Sequence, residues 1–252
     1  MGPVLRVDNL TKVFRRKGQP DFTAVDHISF EVESGRCLGI IGESGSGKST
    51  AAGMITRLID PTEGLIVLDG QDITRLKGRQ LQAAYRKMQM VFQTPTESFD
   101  PRHTLGDGIG ESLRNSGMSR AEVKPEVNKL LQMCGLPAEF AKRYPHQVSG
   151  GQCQRAAIAR AIAIRPKLLI CDEATSALDV TIQAEILALL SDLRRELNLS
   201  ILFICHDIAL VQQFCDRVLV MYKGSIVEEG IPDEVIRNPV NDYTKRLIDS
   251  IL

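Results

Sequence analysis

The 252-residue sequence contains no tryptophan, only 5% aromatic residues and no excess of either charge, with 31 Lys and Arg against 31 Asp and Glu. A net charge of zero argues against nucleic-acid binding, which depends on basic side chains that neutralise phosphates. The chain also lacks a long apolar run, because its longest stretch without Asp, Glu, Lys or Arg is the eleven residues from Tyr144 to Gln154. A membrane-spanning helix needs roughly 20 apolar residues, so we expect none here.

The first residues lack the basic start and apolar run of a signal peptide, which predicts that the chain stays in the cytoplasm. No two cysteines are closer than ten residues apart, and the sequence has no Cys-x-x-Cys or His-Glu-x-x-His motif. The four histidines are equally scattered. These spacings predict reduced, mostly buried thiols and no structural metal site.

Hydrophobic patterning predicts an α/β fold with two kinds of strand. Apolar and polar residues alternate in Val4 to Val7 and in Val25 to Val32, as in half-exposed antiparallel strands. Short continuous apolar runs follow, which is typical of strands buried on both faces of a parallel sheet. These runs are Cys37 to Ile41, Met88 to Phe92, Leu168 to Cys171, Ile201 to Cys205 and Val218 to Met221.

Helical periodicity accounts for most of the remaining chain. The apolar residues of Thr181 to Leu197 fall on one face, which predicts a crossover helix that covers the sheet. Residues 94–165 are predicted to contain helices only. We therefore expect a single domain over 1–252, with a catalytic core and β layer in 1–93 and 166–252 and an inserted helical subdomain in 94–165.

A phosphate-binding motif follows the apolar run that ends at Ile41 and precedes a helical stretch. It matches GxxxxGK[ST], in which glycines expose backbone N–H groups to phosphate, Lys48 contacts the β- and γ-phosphates and Ser49 binds Mg²⁺. The alternative is a simple Gly/Ser-rich turn, which would not need Lys-Ser at that offset. The candidate ATP-binding residues of this loop are Gly42, Glu43, Ser44, Gly45, Ser46, Gly47, Lys48, Ser49 and Thr50.

Two carboxylates, Asp172 and Glu173, follow the apolar run Leu168 to Cys171. That position is the carboxyl edge of the predicted sheet, where open α/β sheets bind ligands. Successive strand side chains point in opposite directions, so one carboxylate can face Mg²⁺ and the other a water molecule. Either alone could be a helix cap or a solvated charge, but together with Lys48 they predict a nucleotide hydrolase with Glu173 as the general base.

A second glycine-rich turn, Ser149-Gly150-Gly151-Gln152, precedes another predicted helix. Such a turn can bind an anion, although it has no lysine. Because one nucleotide has one terminal phosphate, a second phosphate-binding turn suggests that it contacts a nucleotide held by a partner chain. A glycine-rich linker is the alternative.

In these motifs the sequence resembles the ATPase subunit of ABC transporters, over nearly all of its length. The turn at Ser149 is similar to the family's signature sequence, and Ser176-Ala-Leu-Asp179 is similar to the D-loop at the dimer interface. Phe14 resembles the aromatic residue that stacks on adenine, although a core or loop phenylalanine is the alternative. Gln93 resembles the glutamine that contacts Mg²⁺ and the attacking water. His206 resembles the histidine that contacts the γ-phosphate, the alternative being a neighbour of a helix-capping Asp207.

Longer runs resemble one branch of that family, the bacterial peptide and nickel importers. These runs are Tyr144 to Arg155, Ser176 to Gln183, Gln93 to Arg102 and Asn238 to Lys245. The resemblance implies the cofactors ATP and Mg²⁺, a second ATPase subunit, two transmembrane permease subunits and, indirectly, an extracytoplasmic substrate-binding protein. The chain would then lie on the cytoplasmic face of the membrane. Phe99 and Arg102 are expected to be exposed contacts to the permeases, or else part of a solvated loop.

Other functions stay open at this point. An ABC exporter shares the same core, and a soluble ABC ATPase could act on DNA or the ribosome. The DNA-repair members carry long coiled-coil insertions between the two phosphate motifs, whereas only about 100 residues separate Ser49 from Ser149 here. A P-loop kinase or GTPase would lack the turn at Ser149. The transported substrate leaves almost no record in this subunit.

Overall fold

The protein contains two β-sheets with helices on both sides. The structure, a computed structural model, describes residues 2–15, 18, 20–176 and 178–249. The strands are β1 (Leu5–Phe14), β2 (Phe22–Val32), β3 (Cys37–Ile41), β4 (Glu63–Leu68), β5 (Gln71–Asp72), β6 (Met88–Val91), β7 (Leu168–Asp172), β8 (Ser200–Ile204), β9 (Arg217–Tyr222) and β10 (Ser225–Gly230). The helices are α1 (Lys48–Ile55), α2 (Gly78–Tyr85), α3 (Leu105–Asn115), α4 (Arg120–Met133), α5 (Gly150–Ile162), α6 (Val180–Leu197), α7 (Ile208–Phe214), α8 (Pro232–Arg237) and α9 (Asp242–Asp249). Two 3₁₀ helices, Ala138–Lys142 and Pro145–Gln147, lie before α5.

The larger sheet has the strand order β10-β9-β3-β8-β7-β6. Its strands from β9 to β6 pair in parallel, with Gly39 opposite Phe203 and Ile170 opposite Leu202. Each of these strands coincides with one of the five continuous apolar runs. Strands β3 and β8 are buried along their whole length. The prediction of a mostly parallel sheet buried on both faces is therefore confirmed.

The smaller sheet is antiparallel and has the order β2-β1-β4-β5. The predicted antiparallel layer is thus confirmed, but it has two strands, β4 and β5, that hydrophobic alternation did not identify. The edge strand β10, which pairs antiparallel with β9, was missed as well. It carries Glu228 and Glu229 and is only partly buried, so it lacks the apolar run of a central strand.

Alternating side chains of the parallel sheet enter two different cores. On one face, Leu168, Ile170 and Leu202 pack with α1 and the antiparallel sheet. On the other face, Leu169 and Phe203 share a core with the helical residues 105–162 and with α6 and α7. This division follows from the two-residue period of a strand.

In the helical segment, the prediction of an exposed Phe99 is wrong. Phe99 is not an exposed contact residue, because only 4% of it is accessible and its ring packs under the guanidinium of Arg160, 4.4 Å from the ring centroid. Arg160 also donates a hydrogen bond to the carbonyl of Ser98. Arg102 does lie at the surface, where it pairs with Asp100. The aromatic ring therefore anchors the loop to α5 instead of offering a surface.

No helix in the described parts of the chain is both long enough and apolar enough to span a bilayer.

Replacement of Phe203 by alanine tests the core between the parallel sheet and α7. Phe203 is fully buried and contacts Phe214 edge-on, with ring centroids 5.2 Å apart. We expect Phe203→Ala to lower the free energy of unfolding by about 3–5 kcal/mol, because a large cavity remains. Val240→Ala, at an exposed position, is the control and should change it by less than about 0.5 kcal/mol. Denaturant unfolding measures both, and equal stabilities would contradict the packing described here.

Candidate functional site

The phosphate loop connects the end of β3 to the start of α1, as the motif requires. Ser44 and Gly45 are exposed. Ser46 and Lys48 are buried, and Thr50 in α1 is half-buried. The loop closes on itself through a hydrogen bond from the backbone N–H of Ser46 to the carbonyl of Glu43, at 3.2 Å. Because α1 begins at Lys48, the positive end of its dipole lies at this loop.

Two glycines are required by the space around this loop. A Cβ on Gly47, whose φ is 106°, would lie 2.4 Å from the carbonyl oxygen of Ala24 in β2. A Cβ on Gly42 would lie 2.2 Å from the carbonyl oxygen of Met221 in β9. Both neighbours are backbone atoms that cannot rotate away, so the loop is packed between β2 and β9.

Lys48 reaches back over the loop. Its Nζ donates hydrogen bonds to the carbonyl oxygens of Gly42 (2.7 Å) and Glu43 (2.8 Å) and to Oγ of Ser46 (3.4 Å). Burial lowers the pKa of Lys48, while the carboxylates of Glu173 and Asp172 oppose this change. The ammonium group is thus partly desolvated beside two carboxylates and oriented by loop oxygens, which favours interaction with a further anion.

Asp172 and Ser49 form the next part of the site. Asp172 is the last residue of β7, and its Oδ1 accepts a hydrogen bond of 3.2 Å from the hydroxyl of Ser49. Burial raises the pKa of Asp172, and the hydrogen bond from Ser49 opposes this shift. A hydroxyl and a carboxylate oxygen at this distance are the oxygen donors that Mg²⁺ prefers. The residues present therefore fit a magnesium site.

Glu173 lies beside Gln93 and His206. Nε2 of Gln93 donates a hydrogen bond of 2.9 Å to Oε2 of Glu173 and a longer one of 3.3 Å to Oγ of Ser176. Nδ1 of His206 is 3.9 Å from the other carboxylate oxygen. Glu173 also has a left-handed backbone with φ of 47°, fixed by a hydrogen bond from its N–H to the carbonyl of Ile204. Such conformations are costly and are found at functional sites.

Asp207, the residue after His206, does cap a helix, as the alternative interpretation of His206 assumed. Its carboxylate accepts hydrogen bonds from the backbone N–H groups of Ala209 and Leu210 and begins α7. This cap leaves His206 mostly exposed at the carboxyl end of β8, facing Glu173. Capping and a role for the histidine are therefore compatible.

Phe14 ends β1 and is partly exposed, with Nζ of Lys12 lying 5.0 Å from its ring centroid. Its backbone is paired with Phe22 of β2, two residues before Ala24, whose carbonyl contacts the phosphate loop. This end of the antiparallel sheet therefore lies next to the loop. The assignment of Phe14 to adenine stacking stays a prediction.

The second glycine-rich turn is stabilised by hydrogen bonds between its own residues. Ser149 caps α5, its Oγ accepting from the N–H of Gln152 while Oε1 of Gln152 accepts from the N–H of Ser149. Gly150 lies against Leu178, and Gly151 lies against Ile182 of α6. Asp179 caps α6 through the N–H of Ile182. The signature turn and the D-loop residues Leu178 and Asp179 thus lie together, while Ala177 of the D-loop is outside the described residues.

Tyr243 is a residue that the sequence analysis did not assign to the site. Its hydroxyl accepts a hydrogen bond of 3.0 Å from the backbone N–H of Glu43, and its ring stacks on Tyr222 with centroids 4.0 Å apart. The run Asn238 to Lys245 was noted only as a family tail pattern. Nothing local in that run indicates contact with a loop 200 positions away.

The described residues contain no group of three or more His, Cys, Asp or Glu side chains suited to a metal ion, so a magnesium ion here would also rely on the Ser49 hydroxyl and the phosphates. The loop, its lysine and the carboxylates at the edge of a parallel sheet define a P-loop nucleotide hydrolase. An ABC transporter family profile matches residues 25–176.

Named relatives and solved structures agree with this profile. A probable peptide ABC transporter ATP-binding protein, y4tS of Sinorhizobium fredii, is 45% identical over 97% of this chain and 71% of its own length. The oligopeptide transport ATP-binding protein OppF of Escherichia coli is 46% identical over 90% of this chain and 69% of its own. A dimeric post-hydrolysis structure of the cassette MJ0796, bound to ADP and phosphate, superposes with a TM-score of 0.82 at 31% identity, covering 90% of this chain and 98% of that one. A structure of cbiO1 from Clostridium perfringens superposes with a TM-score of 0.83 at 28% identity, covering 94% of this chain and 91% of that one.

The chain therefore belongs to the ABC transporter ATP-binding proteins. It is an ATPase, and its cofactors are ATP and Mg²⁺.

Removal of the Tyr243 hydroxyl tests its support of the phosphate loop. Tyr243→Phe keeps the stacked ring but loses one hydrogen bond, so we expect the unfolding free energy to fall by about 1 kcal/mol and ATP affinity to fall about two- to tenfold. Tyr85→Phe, at the end of α2, is the control. Denaturant unfolding and a fluorescent-ATP titration measure the two effects. Unchanged stability and affinity in Tyr243→Phe would show that the loop does not depend on this contact.

Proposed function

We propose that this chain is the ATPase subunit of a bacterial peptide importer and hydrolyses ATP with Glu173 as general base. The observation that supports the chemistry is the carboxylate of Glu173, which is oriented by Gln93, faced by His206 and close to the phosphate loop. Both sequence relatives named above are described as peptide or oligopeptide transport proteins. For that reason we propose peptides as cargo in preference to nickel or metal chelates, and import in preference to export.

In this proposal each residue of the site has a separate task. Lys48 and the N-terminus of α1 bind the terminal phosphates, while Ser49, Asp172 and Gln93 would hold Mg²⁺ and Phe14 would stack on adenine. When bound, Mg²⁺ supplies positive charge that neutralises the phosphates.

Glu173 accepts a proton from the attacking water, a task suited to a carboxylate that already accepts a hydrogen bond from Gln93. The amide of Gln93 keeps Oε2 of Glu173 in a fixed direction, and His206 adds a polar group beside Oε1. Fixed positions lower the cost of reorganisation during the reaction.

Dimerisation would complete the site. The turn from Ser149 to Gln152 begins a 13-residue helix, whose dipole favours an anion at its N-terminus. Its hydrogen bonds stay within the turn, so we propose that it contacts ATP held by a second ATPase subunit. ATP binding would then close the two chains on each other, with Asp179 at the interface.

We further propose that residues 94–165 act as a helical subdomain that moves with the permeases. A groove of about 220 Å³ between this segment and the core is lined by Tyr85, Met90 and Ala161. At its mouth Leu58 and Phe92 are 62% and 40% exposed. The groove is mostly apolar, with Arg160 and Gln89 as polar members of its lining. Next to Gln93, it would suit a short cytoplasmic helix of a permease and would connect that helix to the reacting centre.

Replacement of Glu173 by glutamine tests the general base. The amide has the same shape but cannot accept the proton, so we expect ATP hydrolysis to fall about 10²–10⁴-fold while ATP still binds. Lys48→Ala should instead weaken ATP binding, because the loop loses its cation. Glu196→Gln, on the exposed face of α6, is the control. Phosphate release and a fluorescent-ATP titration separate these outcomes, and steady turnover by Glu173→Gln would refute the assignment.

Affinity purification from detergent-solubilised membranes tests the transport role. We expect wild-type protein to recover two permeases and a second ATPase, identified by mass spectrometry. Phe92→Asp should lose the permeases yet still bind ATP, because it places a charge in the apolar groove. Val240→Asp, at an exposed site outside the groove, is the control and should behave as wild type. Recovery of wild-type protein alone, or with ribosomes or DNA, would overturn the importer proposal.

A further inference from the structure

Two thiols far apart in the sequence touch each other on the side of the sheet covered by α7. Cys37 is the first residue of β3, and Cys215 caps the C-terminus of α7. Their sulfurs are 3.4 Å apart, with the thiol of Cys37 donating to Sγ of Cys215. The pair belongs neither to the phosphate site nor to the groove proposed for the permeases.

The backbone holds the two cysteines side by side independently of their thiols. The N–H of Cys37 donates to Oδ2 of Asp216 at 2.7 Å, and the N–H of Asp216 donates to the carbonyl of Cys37 at 2.9 Å. Arg194 also binds Oδ2 of Asp216, at 2.6 Å. A disulfide joins sulfurs about 2 Å apart, so the two sulfurs, now 3.4 Å apart, need to approach by about 1.4 Å.

The two thiols differ in their access to solvent. Cys37 is 1% exposed, whereas Cys215 is only partly buried. Burial raises the pKa of the Cys37 thiol well above its usual range. A cavity of about 320 Å³, lined by Cys37, Arg36, Asp216 and Ile231, lies beside the pair. The cavity borders Cys37, whereas Cys215 is the more exposed of the two thiols and is the one that we expect a small oxidant to reach first.

We propose that Cys37 and Cys215 form a reversible disulfide when the protein meets a peroxide. The Cys215 thiolate attacks one peroxide oxygen, the O–O bond breaks, and a sulfenic acid and one water form after proton transfer. The sulfur of Cys37 then attacks the sulfenic sulfur. The S–O bond breaks, and the leaving hydroxide takes the proton of Cys37 as a second water. Two thiols are oxidised and one hydrogen peroxide is reduced to two waters, and a dithiol reductant reverses the change by exchange.

The bond would join two parts of the ATPase core. β3 leads directly into the phosphate loop, and α7 begins immediately after His206 and Asp207. Sγ of Cys215 lies close to Gly39 in β3, since a Cβ added at Gly39 would be 3.1 Å from it. A disulfide here closes a loop of 178 residues, which restricts the unfolded chain. We therefore expect the oxidised protein to melt at a temperature higher by about 5 °C or more.

Peptide mapping of the full chain tests the proposal. The folded protein is treated with hydrogen peroxide, its free thiols are alkylated, and proteolytic peptides are analysed by mass spectrometry. We expect one peptide pair that links Cys37 to Cys215, lighter by about 2 Da than the two thiol peptides and separated by dithiothreitol. Cys134→Ser, at a buried cysteine that does not contact the pair, is the control and should keep the link.

Trapping of the intermediate distinguishes this pathway from general oxidation. In Cys37→Ser the sulfenic acid at Cys215 has lost the thiol that it contacts, so dimedone should label Cys215 more strongly than in wild-type protein. In Cys215→Ser no link to Cys37 should form. The proposal is overturned if folded wild-type protein becomes oxidised at Cys215 without the link, or if Cys37 and Cys215 stay reduced while other cysteines react.

Discussion

Parallel pairing of β8 with β3 on one side and β7 on the other brings the residues of the candidate site together. The strands end side by side, so the phosphate loop after β3, the carboxylates after β7 and His206 after β8 emerge at one edge. Side chains near the ends of these strands are therefore close enough to contact each other, as Oγ of Ser49 and Oδ1 of Asp172 do at 3.2 Å. The site depends on strand register, because a shift of one residue would turn Asp172 to the opposite face.

Close packing around the loop gives that arrangement its rigidity. Backbone carbonyls of Ala24 and Met221 occupy the space that side chains at Gly47 and Gly42 would need. The first carbonyl comes from the antiparallel sheet and the second from the parallel sheet, so both sheets confine one loop. Tyr243, from the C-terminal helix, adds a third support through the N–H of Glu43. A loop held on several sides binds phosphate without first paying a large ordering cost.

Sequence patterns predicted much of the fold and of the candidate site, because those features are local. Continuous apolar runs identified the central strands, and the phosphate motif was recognisable from its own spacing between a strand and a helix. The polar edge strand β10 and the short β5 were missed, since their residues lack such runs. Phe99 was misplaced because a loop position says nothing about Arg160, the α5 side chain that covers it.

The sequence by itself determined the family and the class of chemistry, and it predicted the sheet edge at which the candidate site lies, because motif spacing and the succession of apolar runs are local features of the chain. Tertiary structure alone decided which distant residues meet. Tyr243 contacts the loop of Glu43, Gln93 binds Glu173, and Cys37 touches Cys215. The physical reason is that such contacts arise from helix packing on a twisted sheet, which depends on the whole core and leaves no periodic or local signal.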